Sequence, residues 1–170
     1  FPTNLLLSGT TDLTLNIPVA NPANFGDPKV AMNALDGFST VAPWSTTFST
    51  PPRPSSLAAG STVRVFQVTL SGPGGGVTGL TRELAPNVDY VVALASSDAS
   101  GRTMAIVPTK PLQQLASYLV VLTNGIKDNA GNDATPDQTY FLTKRTSALC
   151  VNGVSQEPLL PNATACALEP

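Results

Sequence analysis

Short runs of apolar residues, separated by clusters of Gly, Pro, Asn and Ser, recur along most of this chain. The runs are rich in Val, Ile, Tyr and Phe, which predicts β-strands because β-branched and aromatic side chains suit a pleated surface. Short strands at regular intervals with turn residues between them are typical of an antiparallel β-sandwich, so we expect an all-β fold. We expect Val120 and Leu122 to contribute to its core. The predicted strands cover residues 63–70, 89–95, 102–107, 118–123 and 139–143.

Local features refine this strand pattern. The apolar alternation of the first run slips between Val65 and Phe66, which predicts a β-bulge at that point. Residues 96–101 are turn-forming and separate the 89–95 and 102–107 runs, so we expect a β-hairpin there. Several runs are apolar on both faces, which indicates that the N-terminal third of the chain covers one face of the sandwich.

The N-terminal third is less regular than the rest. Residues 13–17 predict a short strand, and residues 30–35 predict a helical turn that ends at Asp36 and Gly37. Residues 49–56 contain three prolines and are expected to form an extended connector, because proline neither continues a helix nor donates to a sheet.

The length of 170 residues suits one ordinary domain. We therefore expect a single domain across residues 1–170. Within it, residues 1–60 are the irregular part that covers the sandwich, and residues 61–145 form the sandwich core. Residues 146–170 form a short C-terminal segment, in which residues 163–168 begin a helix.

Composition removes most enzyme mechanisms. The chain contains no histidine, so it completes neither a Ser-His-Asp nor a Cys-His arrangement, nor any His-ligated metal site. It also lacks a Gly-x-Ser-x-Gly nucleophile motif, and the glycine run at 71–76 lacks the Gly-Lys-Ser/Thr ending of a phosphate loop, which leaves a hairpin loop. A net charge of −2 with nine Lys and Arg residues argues against nucleic-acid partners. We expect no catalytic residue and no cofactor.

Cys150 and Cys166 are the two cysteines of the chain. An even number of cysteines in a chain rich in Ser and Thr predicts a disulfide and an oxidising compartment, with two unrelated buried thiols as the alternative. No apolar run reaches the roughly 18 residues of a transmembrane helix. The chain starts at Phe1 without a signal-like segment and stops soon after Cys166. We interpret it as a mature segment, cut from a longer exported protein.

One loop carries candidate metal ligands. Asp128, Asn129, Asn132 and Asp133 offer hard oxygen atoms close together, which suits calcium. Their spacing does not match an EF-hand loop. The favoured interpretation is a β-turn, in which the Asp and Asn side chains bind their own backbone and Gly131 supplies a positive φ.

Two segments are distinctive beyond their physical chemistry. The first is Asn-Ala-Leu-Asp-Gly-Phe-Ser-Thr at 33–40, followed by Ala-Pro, and the second spans residues 101–132. Together with Phe-Pro at 1–2 and Leu-Leu-Leu at 5–7, they resemble the N-terminal domain of the bacterial virulence factor lipases. These are extracellular or surface-anchored lipases and lysophospholipases of Gram-negative bacteria. The end of the second segment is also similar to a wider class of bacterial Ig-like modules.

The resemblance implies an Ig-like antiparallel β-sandwich that is a non-catalytic accessory domain of a secreted lipase. The parent enzyme would hydrolyse carboxylic esters or lysophospholipids in an α/β-hydrolase domain that lies downstream in the same polypeptide. That domain would be the main partner of this chain. The resemblance also implies a location outside the cell or on the outer surface of a Gram-negative bacterium, reached through a removed signal or lipid anchor. None of the family's catalytic residues is carried over to this sequence.

The alternative hypothesis is a free-standing extracellular module that binds carbohydrate, lipid or protein. Such a module needs exposed aromatic side chains, and Phe38 and Trp44 are the clearest candidates. With Asp36 they form a possible interaction loop. The competing interpretation of residues 36–39 is a turn that packs Phe38 inward. An autonomous enzyme is the least favoured hypothesis, because no catalytic set can be assembled.

Overall fold

The computed structural model describes residues 3–7, 9–72 and 75–168. Phe1 and Pro2, which belong to the family resemblance, and the centre of the 71–76 loop lie outside these ranges. The chain divides into two compact units, Phe1–Ala134 and Thr135–Pro170. Each unit is described separately.

The first unit is built from two three-stranded sheets, in which all neighbouring strands are antiparallel. One sheet has the strand order β1-β5-β4 and the other the order β3-β2-β6. The all-β antiparallel fold expected from the sequence is therefore confirmed. The elements are α1 (Pro28–Met32), β1 (Trp44–Thr47), β2 (Val63–Leu70), β3 (Val77–Glu83), β4 (Tyr90–Leu94), β5 (Thr103–Pro108) and β6 (Ser117–Leu122), with short 3-10 turns at Asn4–Leu7 and Pro54–Ser56.

The predicted hairpin between the second and third strand runs is confirmed as β4 and β5. Asp98 organises its turn, because its carboxylate accepts hydrogen bonds from the Ser100 hydroxyl (2.6 Å), the Ser100 amide (2.9 Å) and the Thr103 amide (2.9 Å). These bonds favour the charged form, and the Ser100 hydroxyl is the largest cause of a pKa well below the ordinary aspartate value. The turn is therefore held by a carboxylate that stays ionised.

Strand β2 lies at the centre of the other sheet and carries an irregularity at a different place from the predicted one. Val63, Val65 and Val68 are its buried side chains, so the inward spacing lengthens after Val65. The register against β3 shifts between Gln67 and Val68, and again between Thr69 and Leu70. The expected slip between Val65 and Phe66 is wrong, because Phe66 stays on the outer face, where the Arg64 guanidinium lies 4.8 Å from its ring centroid.

Two strands of the first unit, β1 and β3, are not among the strands that the sequence predicts. Strand β1 is short and mostly polar, and β3 contains Gly79 and is almost wholly exposed, so neither has a strong apolar alternation. Gly79 has a packing role, since a Cβ at this position would lie 2.9 Å from the Thr69 hydroxyl. Both strands form at sheet edges, where pairing with one neighbour suffices.

The core of the first unit lies between the two sheets. Val120 of β6 packs against it as expected, whereas Leu122 is 39% exposed and the prediction of a core position for it is wrong. Trp44 from one sheet and Tyr118 from the other also approach across the core, with ring centroids 6.0 Å apart. The buried cluster contains Leu57, Val63, Val65, Leu84, Tyr90, Met104, Ile106 and Ile126.

Tyr90 connects the two sheets through its hydroxyl group. The side chain is 1% exposed, and its hydroxyl donates to the Val63 carbonyl at 2.9 Å and accepts from the Gly60 amide at 3.0 Å. Burial raises the pKa of this phenol, so it stays a neutral donor. A polar atom inside the core is thus fully hydrogen-bonded, and it fixes β4 against the turn that leads into β2.

The N-terminal expectations are only partly met. Residues 13–17 do not form a strand, because Leu13 has a φ of +67° and the amide side chain of Asn33 pairs with the backbone of Ile17 instead. The helix is present but ends at Met32, before the predicted stop at residues 36–37. The predicted connector includes the 3-10 turn at Pro54–Ser56, since proline is well suited to the first position of a helical turn.

The second unit contains α2 (Gln138–Thr143), β7 (Cys150–Val151), β8 (Val154–Ser155) and α3 (Asn162–Leu168). The strand predicted at 139–143 is wrong, because Asp137 caps a helix there by accepting from the Tyr140 amide at 2.7 Å. The predicted start of a helix at 163–168 is confirmed by α3.

A disulfide closes the second unit. Cys150 on β7 is bonded to Cys166 on α3, which confirms the predicted pairing. Beside it, Arg145 donates to the Glu157 carboxylate at 2.5 Å, and the side chain of Glu157 is 9% exposed. The small unit therefore combines a covalent bond with a mostly buried ion pair. Within the described part of the chain, no helix is both long and apolar enough to cross a membrane.

Replacing Tyr90 with Phe should destabilise the first unit by about 0.5–1.5 kcal/mol, because it removes the hydrogen bonds of the buried hydroxyl, although the Gly60 amide still donates to the Val63 carbonyl at 2.9 Å. Urea denaturation followed by circular dichroism measures the change. The matched control is Tyr118→Phe, which removes a hydroxyl that only accepts from the Gln113 amide at an exposed site and should cost less. Equal stability of wild type and Tyr90→Phe would contradict the inter-sheet role.

Reduction of Cys150–Cys166 should loosen residues 150–168 and leave the β-sandwich intact, because neither cysteine belongs to the buried cluster of the first unit. Limited proteolysis and amide exchange, with and without reductant, report on the two regions separately. The double variant Cys150→Ser, Cys166→Ser should behave like the reduced protein and be insensitive to reductant. Two titratable thiols in denatured, unreduced protein would show that the bond is absent.

Candidate functional site

The structure separates the three residues of the predicted interaction loop. Asp36 is exposed and Phe38 is half-buried, both in the segment between α1 and β1. Trp44 is the first residue of β1 and packs against the buried cluster. The placement of Trp44 in an exposed loop is therefore corrected, because its ring contributes to the sandwich core.

Phe38 borders an apolar cleft in the N-terminal part of the first unit. The cleft has a volume of about 400 Å³, which lies near the lower end of the range for small-molecule sites. Side chains from three consecutive segments of the chain meet there: the first 3-10 turn, the extended stretch after it, and α1 with the loop that follows. The lining residues are Leu6, Leu15, Ile17, Lys29, Met32, Leu35, Gly37, Phe38 and Ser39.

Backbone hydrogen bonds hold the walls of this cleft together. The Leu15 amide donates to the Leu35 carbonyl at 2.9 Å, and the Asn16 amide donates to the Leu6 carbonyl at 2.5 Å. The Asn33 side chain accepts from the Ile17 amide at 2.8 Å and donates to the Ile17 carbonyl at 3.0 Å. The extended stretch is thus fixed on both sides, although it belongs to no sheet.

The cleft can bind an apolar group but has no arrangement for acid–base chemistry. Leu15 is buried, whereas Met32 and Leu35 are 40% and 54% exposed and leave apolar surface open to solvent. Ser39 is the hydroxyl residue of the lining, and its oxygen accepts from the Val41 and Ala42 amides at 3.3 and 3.1 Å. Lys29 is the charged residue of the lining.

Sequence reasoning found Phe38 but missed most of this lining. The signal available for Leu15 and Ile17 was the apolar alternation at 13–17, which predicted a strand. The leucines at 5–7 entered only through the family resemblance. The sequence did not reveal that residues 5–7 and 13–17 pack against the loop after α1. This packing depends on a long-range hydrogen bond from the Ile17 amide to the Asn33 side chain.

The acidic side chains outside the cleft serve local structure. Asp89 accepts from the Ala85 amide at 2.9 Å, the largest cause of its lowered pKa, and it also binds Arg82 and Lys110 at 3.1 and 3.4 Å. Glu83 forms a two-pronged ion pair with Arg64, which lowers its pKa. A general acid at neutral pH needs a raised pKa. These two carboxylates are shifted the opposite way.

The calcium candidates form a hydrogen-bonded turn. The Asp128 carboxylate accepts from the Ala130 amide (2.8 Å), the Asn132 amide (2.9 Å) and the Asn132 side chain (2.8 Å). The Asn132 side chain is the largest cause of its lowered pKa. Gly131 has a φ of +90°, as the turn interpretation requires.

The other two candidates are also placed by the turn. Asp133 forms an ion pair with Lys127, and the Asn129 carbonyl accepts from Arg53 at 3.4 Å. Across residues 3–7, 9–72 and 75–168, no three His, Cys, Asp or Glu side chains gather in a group that could hold a metal ion. The carboxylates of Asp128 and Asp133 are therefore engaged by the turn and by Lys127.

Excess calcium should leave the melting temperature unchanged, because a ligand stabilises only by binding the native state. Asp128→Ala should lower the melting temperature without calcium, since three donors lose their acceptor; Asp133→Ala is the control, which loses one exposed ion pair. The pKa of Asp128 is lower in the folded state than in the unfolded state. Its contribution to the free energy of unfolding is therefore present above the pKa of the unfolded state, and it is lost as the pH falls through the pKa of the folded state. A calcium-dependent rise that Asp128→Ala abolishes would overturn the turn interpretation.

Comparison with known proteins gives one match. A family model described as Bacterial Ig-like domain matches residues 21–143, which is well over half of the chain. The chain matches no curated protein and no solved structure. The family match agrees with the two antiparallel sheets packed around a shared core. This chain belongs to the family of bacterial Ig-like domains.

Proposed function

We propose that this chain is a non-catalytic accessory domain of an exported bacterial lipase, and that it binds an apolar ligand in the N-terminal cleft. One observation carries the proposal. The most specific part of the resemblance to the lipase family is the segment at 35–40, and four of its residues, Leu35, Gly37, Phe38 and Ser39, line the cleft. The segment therefore forms a concave surface and not merely a turn that packs into the core.

The chemistry of the described residues supports a binding role. The chain has no histidine, and the carboxylates with shifted pKa values are held in their charged forms by hydrogen bonds, Asp98 and Asp128 among them. The cleft lining contains no acidic side chain. An ester hydrolase needs a base beside its nucleophile, whereas the hydrogen bonds at the Ser39 hydroxyl oxygen come from the Val41 and Ala42 backbone amides.

The disulfide supports the exported location. Disulfides form and persist in oxidising compartments, and the second unit is closed by Cys150–Cys166. In this proposal the domain lies outside the cell or on the outer surface of a Gram-negative bacterium. It is exported through a signal that is then removed, or it is held at the surface by a lipid anchor. Its partner is a downstream α/β-hydrolase domain of the same polypeptide.

A free-standing binding module is the second candidate, and the cleft favours an apolar ligand for it. Carbohydrate modules present exposed aromatic faces for stacking, whereas Trp44 lies against the core. Among the three ligand classes considered from the sequence, lipid is the one that an apolar lining fits best. The two candidates differ in whether a hydrolase domain follows in the same gene.

The isolated 170-residue chain should not hydrolyse carboxylic esters, because it has no histidine base and no nucleophile motif. Incubation with short-chain and long-chain p-nitrophenyl esters measures this, with Ser39→Ala as the matched variant. Turnover that co-purifies with the chain and disappears in Ser39→Ala would overturn the accessory role.

The lipase parent is tested by reading the gene downstream of residue 170. A Gly-x-Ser-x-Gly motif followed by a histidine would support the accessory domain. A stop codon directly after residue 170 would rule out the accessory domain and leave the free-standing module.

A further inference from the structure

We propose that the N-terminal cleft binds a single-chain anionic amphiphile, specifically a medium-chain fatty acid with its carboxylate at Lys29. This inference deepens the proposed function, since it names the ligand class of the same cleft.

The lining favours an unbranched aliphatic chain. Six of its side chains are large and apolar, and they come from one continuous region of the chain between residues 6 and 38. Met32 and Leu35 keep 40% and 54% of their surface exposed. A bound chain would cover this surface, and burial of apolar area is the main favourable term in such binding. The lining residues in question are Leu6, Leu15, Ile17, Met32, Leu35 and Phe38.

The volume favours one chain over two. A cleft of about 400 Å³ is near the lower end of the range for ligand sites, about 300–1,000 Å³. A two-chain phospholipid would exceed this space. Met32 and Leu35 of the lining are exposed, so the cleft is open to solvent on their side. A ligand with one buried tail and one solvated end fits this shape.

The charge favours an anionic head group. Lys29 is exposed and lines the cleft, so its methylene stem contributes to the apolar wall while its ammonium group stays in water. Its backbone amide is bound by the Asp27 carboxylate at 2.9 Å, which fixes the start of α1 and hence the position of the lysine. Among the residues that the structure describes, no acidic side chain lines the cleft. A carboxylate at the open end would therefore meet a positive charge.

The test is isothermal titration calorimetry of the whole chain with dodecanoate below its micelle concentration. Dodecanoate should saturate one site, and decanoate should bind up to about fifteenfold more weakly, because each buried methylene contributes about fourfold in affinity. Dodecyltrimethylammonium has the same tail with a positive head group and should bind at least tenfold more weakly than dodecanoate. Absence of saturation by dodecanoate, or equal binding of the cation, would overturn the proposal.

Matched variants locate the site. Leu35→Asp should abolish dodecanoate binding, while Leu80→Asp, which alters a similarly exposed leucine on β3 outside the cleft, should leave it unchanged. Met32→Gln is the second cleft variant, and its milder change keeps the test valid if Leu35→Asp fails to fold. Circular dichroism checks the fold of each variant. An equal loss of dodecanoate binding in Leu80→Asp and Leu35→Asp would contradict binding in the cleft.

Charge reversal tests the head-group contact. Lys29→Glu should weaken dodecanoate binding at least tenfold and strengthen binding of the cationic amphiphile. Arg102→Glu is the control, since Arg102 is exposed and lies at the β4–β5 turn outside the lining. Unchanged binding in Lys29→Glu would refute the carboxylate position.

Failure of dodecanoate binding leaves the accessory role intact, whereas ester hydrolysis by the chain would overturn that role without affecting the binding result.

Discussion

The hydroxyl group of Tyr90 is the constraint on which the sandwich depends. It lies inside an otherwise apolar core and is satisfied only if β4 and the turn before β2 keep one relative position. That turn is itself restricted, since Gly60 has a φ of +79° and a Cβ there would lie 2.7 Å from Pro86. Apolar packing would tolerate small slips between the sheets. A buried hydroxyl with two backbone partners does not tolerate such slips, because a polar group without a hydrogen bond inside the core lowers the free energy of unfolding.

The sequence predicted the strands rich in apolar residues and missed β1 and β3, whose residues are polar or exposed. The runs that became β2, β4, β5 and β6 contain β-branched residues with inward spacing, which reports burial directly. β1 and β3 are polar or exposed and are stabilised by their neighbours, so their own residues carry little signal. The 139–143 run was misassigned because five residues cannot distinguish the two periodicities, and a cap at Asp137 decided the outcome.

The candidate site was predictable only in part, for a related reason. Phe38 and Trp44 were equally distinctive in the sequence as candidate exposed aromatic residues. In the structure Phe38 borders the cleft, whereas Trp44 packs against the core. The difference is tertiary, because the strand pairing of β1 turns Trp44 toward Tyr118. The turn at Asp128 was easier to interpret, since Asx turns and glycine at positive φ are short-range effects.

The cleft and the sandwich core share no residue. Every residue of the lining lies between positions 6 and 39, whereas the buried cluster begins at Leu57. The hydrogen bonds that hold its walls also lie within this region, between Leu15 and Leu35, between Asn16 and Leu6, and between Ile17 and Asn33. A substitution in the lining therefore leaves the contacts of the buried cluster in place, so the cleft can vary among homologous domains while the sandwich is kept.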